Sequence, residues 1–136
     1  MTNPKPILRN ERVLVVDDIP KWIKVAKDNL DYYGCPLENI VTAEDVQQGY
    51  KIYEKEHPTL IMTDINFDVD NLEDTQGLDL IRRIREGYYP HPIVAMSSLK
   101  KDIKERSLAS GANYFINKND FVGDFDYFMK VYLERR

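Results

Sequence analysis

The chain has 136 residues, of which 43% are hydrophobic and 31% are charged, a composition typical of a folded globular domain and not of a disordered chain. Nineteen basic and 23 acidic residues give a net charge of −4, which gives no reason to expect strong binding to nucleic acid. The lone Cys35 cannot form an internal disulfide, and no apolar run reaches membrane-spanning length. We therefore expect a cytoplasmic protein without nucleic-acid or membrane partners, with an N-terminal arm at 1–11 and one domain at 12–136.

Five short apolar runs, rich in β-branched residues, recur at fairly even intervals along the chain. They begin at Val13, Ile40, Leu60, Ile93 and Tyr114. Each run is nearly continuous and does not alternate with polar residues. Strands that are buried on both faces of a parallel sheet have this pattern.

Segments with helical periodicity separate and follow these runs. Their apolar faces comprise Trp22, Val25, Ala26, Leu30 and Tyr33; Val46, Tyr50 and Tyr53; Leu78, Ile81 and Ile84; Ile103, Leu108 and Ala109 in a weaker segment; and Phe121, Phe125, Phe128, Met129 and Tyr132. Pro20 suits the first turn of helix 1, Gly34 and Gly111 suit the ends of helices 1 and 4, and Asp120 suits the N-cap of helix 5. The strict alternation predicts an α/β fold, an open five-stranded parallel sheet with helices on both faces.

Polar side chains follow four of the five predicted strands. Asp17 and Asp18 follow the first strand, Asp64 the third, Ser97 the fourth and Lys118 the fifth. The binding crevice of an open α/β sheet lies at the carboxyl ends of its strands, so we expect these groups to meet at one edge. Each residue taken singly has an ordinary explanation, such as a helix N-cap or a turn. Coincidence is a poor explanation for all five together.

Three clustered carboxylates repel one another unless a proton or a cation joins them. Because no His or Cys is near, the all-oxygen ligand set favours a hard ion, Mg²⁺ in particular. A carboxylate beside Mg²⁺ can attack phosphorus and form an acyl phosphate. Mg²⁺ and Lys118 would neutralise the phosphoryl oxygens, and Ser97 would donate a hydrogen bond. This layout is compatible with Asp64 as the nucleophile but does not single it out from Asp17 or Asp18.

Four stretches of the sequence form a set with a recognisable order and spacing: "VLVVDDIP" from Val13, "LIMTDIN" from Leu60, "PIVAMSS" from Pro92 and "GANYFINK" from Gly111. In these stretches the chain resembles the receiver domain of two-component response regulators, and the chemotaxis receivers in particular. The resemblance covers about Arg12 to Leu133. It implies a role in phosphorelay signal transduction and a flavodoxin-like (βα)5 fold with strand order 2-1-3-4-5.

The resemblance also assigns the acceptor and the metal ligands. Asp64 would be the phosphoacceptor. Mg²⁺, or Mn²⁺ in its place, would be bound by Asp18 directly, by Asp17 largely through water, by Asp64 and by the backbone carbonyl of Asn66. Such a domain catalyses its own phosphorylation and dephosphorylation, and we do not expect a turnover enzyme.

Three further positions carry the switch that the resemblance implies. Ser97 and Lys118 fill the family's hydroxyl and lysine positions. Phe115 matches the aromatic position that turns inward when the hydroxyl residue is drawn toward the phosphoryl group, which remodels the helix 4–strand 5–helix 5 face. The family more often has Tyr or Thr there, and a plain core aromatic is an equally weighted interpretation of Phe115.

The implied partners are a sensor histidine kinase or phosphotransfer protein as donor and a downstream protein on the helix 4–strand 5–helix 5 face, with a homodimer as a further option. Candidate contacts are Lys100, Lys101, Lys104, Arg106, Tyr127 and Tyr132. One alternative is a degenerate receiver that acts as a phosphorylation-independent interaction module. Another is a Mg²⁺-dependent hydrolase or nuclease, but His57 and His91 both fall outside the predicted edge and leave it without a general base.

Two features of the loops depart from the family pattern. Asn119 follows Lys118 where the family usually has a proline after a cis peptide bond. A cis bond before a non-proline residue costs about 3–4 kcal/mol, so we expect a trans peptide and a rearranged loop, which bears on how far Lys118 reaches. Gly77, which would open helix 3, lies thirteen residues past Asp64, further than in the family. The insert carries the acidic run Asp68–Asp74, which we expect to form a lid that tunes access of the donor.

Overall fold

The structure, a computed structural model, describes residues 7–67, 74–98 and 102–133, with the backbone alone at 132 and 133. None of the helices in these ranges has both the length and the apolar character that a membrane span requires. The described residues form one five-stranded sheet with helices packed on its two faces.

All five strands of the sheet are parallel. They are Val13–Val16 (β1), Ile40–Ala43 (β2), Leu60–Asp64 (β3), Ile93–Ser97 (β4) and Tyr114–Asn117 (β5). Their order is β2-β1-β3-β4-β5, which confirms the predicted fold. Every residue of the three central strands β1, β3 and β4 is buried, which explains why their apolar runs are continuous.

Five α-helices connect and follow the strands. They are Pro20–Tyr32 (α1), Val46–Glu56 (α2), Gln76–Glu86 (α3), Ile103–Ser110 (α4) and Phe121–Phe128 (α5). A π-helical turn, Met129–Leu133, continues α5, and short 3₁₀ turns lie at Leu37–Asn39 and Lys118–Asp120.

The helix ends confirm the positions that the sequence predicts for them. Pro20 is the first residue of α1, where its missing N–H is not needed. Gly34, with φ 91°, lies just past the end of α1, and Gly111, with φ 122°, caps α4. Asp120 is the N-cap residue of α5.

Successive strand residues point to opposite faces of the sheet and feed two hydrophobic clusters. One cluster lies under α1 and α5 and includes Val15, Leu30 and Phe125. The other lies under α2, α3 and α4 and includes Leu14 and Ile81. The first cluster extends to Leu8, which is fully buried and whose N–H donates to the carbonyl of Tyr33 at 3.0 Å. The division into an arm at 1–11 and a domain at 12–136 stays a prediction.

Candidate functional site

The parallel order of the strands brings four predicted side chains to one edge of the sheet. Asp17 follows β1, Asp64 ends β3, Ser97 ends β4 and Lys118 follows β5. All four are buried, with exposed fractions of 0% for Asp17, 4% for Asp64, 1% for Ser97 and 5% for Lys118. Burial of charged groups is costly unless they are paired, so this edge is where the fold concentrates unfavourable desolvation.

The ammonium group of Lys118 bridges two carboxylates. Its Nζ lies 2.7 Å from Oδ2 of Asp17 and 3.1 Å from Oδ1 of Asp64. The Lys118–Asn119 peptide is trans, as we expected, and it lies within a 3₁₀ turn in which the N–H of Asn119 donates to the side chain of Asn117 at 2.9 Å. A loop without the proline therefore still carries the lysine to both acids.

Backbone hydrogen bonds orient the two bridged acids. Oδ1 of Asp17 accepts from the N–H of Ile19 at 2.9 Å, and Oδ1 of Asp64 accepts from the N–H of Ile65 at 2.9 Å. The N-cap residue of α1 is Ile19 and not Asp18. The partly exposed carboxyl of Asp18 therefore does not serve as the N-cap of α1.

Three carboxylates at this edge fit a hard cation. One oxygen each from Asp17, Asp18 and Asp64 lies within 4.8 Å of the others. This all-oxygen donor set is the type that Mg²⁺ and Mn²⁺ prefer. Asn66, whose carbonyl was predicted as a further ligand, lies two residues past the end of β3, and its role stays a prediction.

Burial disturbs the protonation of both bridged acids. It raises the pKa of the Asp64 carboxyl from 3.8 to about 7, against the opposing charge of Lys118 and with a further upward contribution from Asp17. Burial likewise raises the pKa of Asp17, again against the pull of Lys118. When they are ionised, the carboxylates of Asp17, Asp18 and Asp64 carry more negative charge than one lysine neutralises, a condition that a bound cation relieves.

The start of α3 packs directly against the backbone of Asp64. The N–H of Gly77 donates to the carbonyl of Ile65 at 3.0 Å, and a Cβ at position 77 would lie only 2.1 Å from the carbonyl oxygen of Asp64. Only glycine permits this approach, and Gly77 is the second residue of α3.

The predicted acidic lid lies mostly outside the described residues. Of the run Asp68–Asp74, only Asp74 is described, and its Oδ2 accepts from the N–H of Phe67 at 2.9 Å. This bond joins the two described ends of the inserted loop. The lid itself stays a hypothesis.

The predicted output face contains described and undescribed residues. Phe115 on β5 is half-buried and packs against the cluster beneath α2, α3 and α4. Lys104 and Arg106 are exposed on α4, and Tyr127 is 57% exposed on α5. The candidate contacts Lys100 and Lys101 and the side chain of Tyr132 lie outside the described part of the chain.

Sequence reasoning missed one neighbour of the site, Trp22, which it placed only on the apolar face of helix 1. The centre of its indole lies 5.2 Å from Nζ of Lys118 and 4.9 Å from Nζ of Lys21. The available signal was its position, five residues after Asp17 on the first turn of α1. That spacing alone does not tell which way the ring points.

The two histidines lie at the opposite edge of the sheet. His57 caps the C-terminus of α2, and His91 lies two residues before the start of β4. Neither therefore lies at the carboxyl ends of the strands to serve as a general base for a hydrolase or nuclease.

Comparison with known proteins finds relatives that match most of the chain. Residues 13–122 match the model of the response regulator receiver domain. The chain is 31% identical over 109 residues to the transcriptional regulatory protein TrcR of Mycobacterium tuberculosis, which covers 79% of this chain and 39% of TrcR. It is 31% identical over 110 residues to a protein-glutamate methylesterase/protein-glutamine glutaminase of Methanococcus maripaludis, covering 79% of this chain and 28% of that protein.

A solved structure agrees with the fold. The response regulator TrrA from Thermotoga maritima, in complex with Mg²⁺ and BeF, matches with a TM-score of 0.72 at 22% identity over 88% of this chain and 96% of that chain. The chain spans less than half the length of both curated relatives. From the family match over most of its length, together with the strand order and the site at the strand ends, this chain belongs to the response regulator receiver domain family of two-component signalling.

Proposed function

We propose that this receiver is a switch controlled by phosphorylation of Asp64 in the presence of Mg²⁺ or Mn²⁺. The observation that carries the proposal is the buried bridge in which one ammonium, that of Lys118, contacts the carboxylates of both Asp17 and Asp64. Phosphoryl transfer requires mainly positioning and neutralisation of charge. A lysine fixed beside the acceptor supplies both.

The transfer step follows from the contacts of Asp64. Its Oδ1 is held by Lys118 and by the N–H of Ile65, so we assign the attack on phosphorus to Oδ2. A bond from Oδ2 to phosphorus forms while the bond from phosphorus to the leaving group breaks. With a phosphohistidine donor the leaving group is the imidazole, which takes up a proton, and with acetyl phosphate it is acetate.

The chain's own residues stabilise the charge of the transferred group. The ammonium of Lys118 lies next to the acceptor and neutralises one phosphoryl oxygen, and the hydroxyl of Ser97 donates to another. Asp17, Asp18, Asp64 and the carbonyl of Asn66 would hold the metal ion. When bound, that ion supplies positive charge that keeps the carboxylates ionised and neutralises the remaining phosphoryl charge.

The partners follow from the family. Receiver domains interact with histidine kinases and with downstream targets, and we propose a histidine kinase or a phosphotransfer protein as the donor for Asp64. The half-buried position of Phe115 supports a rotation inward toward Ser97 on phosphorylation, which would alter the face formed by α4, β5 and α5. Phosphorylation would thereby change the affinity of that face for a downstream protein or for a second copy.

Intact mass after incubation with acetyl phosphate and Mg²⁺ tests the proposal. The wild type should gain one phosphoryl group that hydroxylamine removes. Asp64→Asn should gain none, and the exposed-site control Asp79→Asn should behave as the wild type does. Chelation of the metal should abolish the gain. If the wild type gains no mass, the degenerate-receiver alternative replaces this proposal, and gain of mass by Asp64→Asn would place the acceptor elsewhere.

A further inference from the structure

We propose that Trp22 is a positioning residue for Lys118, whose indole face holds the ammonium in place when the carboxylates beside it are shared with a metal ion. The inference rests on the proposed function, because it assigns Lys118 a task in phosphoryl transfer. Nothing in the receiver resemblance assigns Trp22 a role, and the observation behind it is geometric.

The geometry is that of a cation held over an aromatic face. Nζ of Lys118 lies over the indole of Trp22 at 5.2 Å from the ring centre, inside the roughly 6 Å within which such attraction is significant. The lysine side chain is only 4% exposed. Attraction between a cation and a ring is stronger in such a desolvated setting than at an exposed one.

The indole is itself fixed from the side of α5. Trp22 stacks on Phe121 with ring centres 6.3 Å apart and planes 22° apart, and Phe121 stacks in turn on Phe125 at 6.2 Å. Phe121 follows directly on the turn Lys118–Asp120. The segment that carries the lysine therefore also supplies the ring that holds the indole against it.

The indole differs in kind from the other described partners of the ammonium. Asp17 and Asp64 hold Lys118 through oxygens of carboxylates that also belong to the candidate metal site. An ion on those carboxylates competes with the lysine for their negative charge and repels it. The indole carries no metal-binding oxygen, so its attraction for the ammonium persists when the ion is bound.

A second lysine provides a matched control on the same ring. Nζ of Lys21 lies 4.9 Å from the indole centre, but its side chain is exposed. Removal of this cation by Lys21→Gln leaves the indole and Lys118 in place. We therefore expect Lys21→Gln to leave metal affinity and phosphorylation unchanged.

The competing interpretation is that Trp22 only fills space, because the ring also packs against the hydrophobic cluster beneath α1 and α5. Trp22 is the single tryptophan of the chain, so biosynthetic incorporation of fluorinated tryptophan alters residue 22 alone. This substitution separates the packing role of the ring from its attraction for the ammonium. Fluorine withdraws electron density from the ring face and weakens its attraction for a cation while the shape is nearly kept.

The experiment compares the wild type, the fluorinated protein, Trp22→Phe and Trp22→Leu. We expect the rate of phosphorylation by acetyl phosphate to fall about threefold to tenfold with increasing fluorination, with Phe retaining more activity than Leu. Mg²⁺ affinity, measured by calorimetry without any donor, should weaken in the same order, because an unanchored ammonium competes harder for the carboxylates. Proton NMR of the metal-free protein should show the ε-methylene of Lys118 shifted upfield relative to Trp22→Leu.

Unchanged rates and unchanged Mg²⁺ affinity in the fluorinated protein would overturn the role of Trp22, even if Trp22→Leu is impaired through packing. Failure of the wild type to accept a phosphoryl group would instead overturn the proposed function. In that case calorimetry and NMR still decide whether the indole positions the lysine.

Discussion

The two edges of the sheet, at the carboxyl and the amino ends of its strands, hold charged side chains in opposite ways. At the carboxyl edge, Asp17 and Asp64 share the single ammonium of Lys118 and are otherwise desolvated. At the amino edge, the guanidinium of Arg85 donates to the carbonyls of Gly111, Tyr89 and His91 and to Oδ1 of Asn113, at 2.5–2.9 Å. One edge gathers like charges, and the other spreads one charge over four neutral acceptors.

The aromatic residues at the amino edge continue this pattern of satisfied contacts. The hydroxyl of Tyr89 donates to the carbonyl of Pro58 at 2.8 Å. Its ring meets those of Tyr53 and His91 edge to face, at 5.5 and 5.4 Å between ring centres. The polar groups at the amino edge thus have hydrogen-bond partners, whereas the carboxylates at the carboxyl edge share one ammonium. Such incomplete compensation is expected at a site that binds a ligand and is not expected where a cluster serves stability alone.

The largest effect is expected from removal of the bridging ammonium. Lys118→Met leaves two buried carboxylates without their cation, which should lower the free energy of unfolding by about 3–5 kcal/mol. The measurement is urea unfolding at pH 8 without divalent ions, so that no bound metal offsets the lost ammonium. Lys24→Met removes an exposed ion pair with Asp28 and should cost no more than about 0.5 kcal/mol. Equal losses in the two variants would refute the contrast between the edges.

The second largest loss of stability is expected at the amino edge, on removal of the guanidinium of Arg85. Arg85→Met removes every donor of the guanidinium and takes the hydrogen bonds from partly buried carbonyls, which should cost about 2–4 kcal/mol of unfolding free energy. Arg82→Met on the same helix breaks only an exposed pair with Asp79 and serves as the control. Because the two edges are separate, Mg²⁺ affinity of the folded Arg85→Met protein should equal that of the wild type. A weaker affinity would show that the edges are coupled.

The contrast also separates what the sequence predicts from what it does not. The carboxyl edge was predictable because parallel strands of known order place Asp17, Asp64 and Lys118 at the same end, whatever their side-chain conformations. The fold was predictable for a related reason, because strands that are buried on both faces consist of unbroken apolar runs that can be recognised in the sequence. Both inferences depend on chain order and not on detailed geometry.

The amino edge and the environment of Lys118 depend on geometry that no local pattern records. The acceptors of Arg85 come from segments 89–91 and 111–113, which meet only in the folded protein. At the end of α3 the left-handed residue is Tyr88, with φ 61°, although Gly87 stands next to it with φ −86°. Residue preference would place the glycine there. The contact of Trp22 with Lys118 likewise requires α1 to pack beside the turn after β5.

The smallest expected effect is a gain in stability, and it comes from removal of the charge of Asp64. Because burial raises the pKa of its carboxyl from 3.8 to about 7, the folded chain holds this proton more tightly than the unfolded chain does. The contribution of Asp64 to stability is therefore highest below pH 4 and falls as the pH rises toward 7, above which the full cost of burying the charge is present. Asp64→Asn removes the cost of burying this charge, but it also removes the stabilising contact of the carboxylate with Lys118. The net gain is the difference between the two.

The metal-free Asp64→Asn protein should thus exceed the wild type by about 1–3 kcal/mol in unfolding free energy at pH 8. The gain should shrink steadily as the pH is lowered from 7 to 4. Urea unfolding in EDTA across this range measures it, with Asp79→Asn as an exposed control that should show no such trend. A variant less stable than the wild type at pH 8 would mean that Lys118 already neutralises the edge. The excess negative charge that distinguishes it from the amino edge would then be absent, and with it the physical reason for the site to recruit a cation.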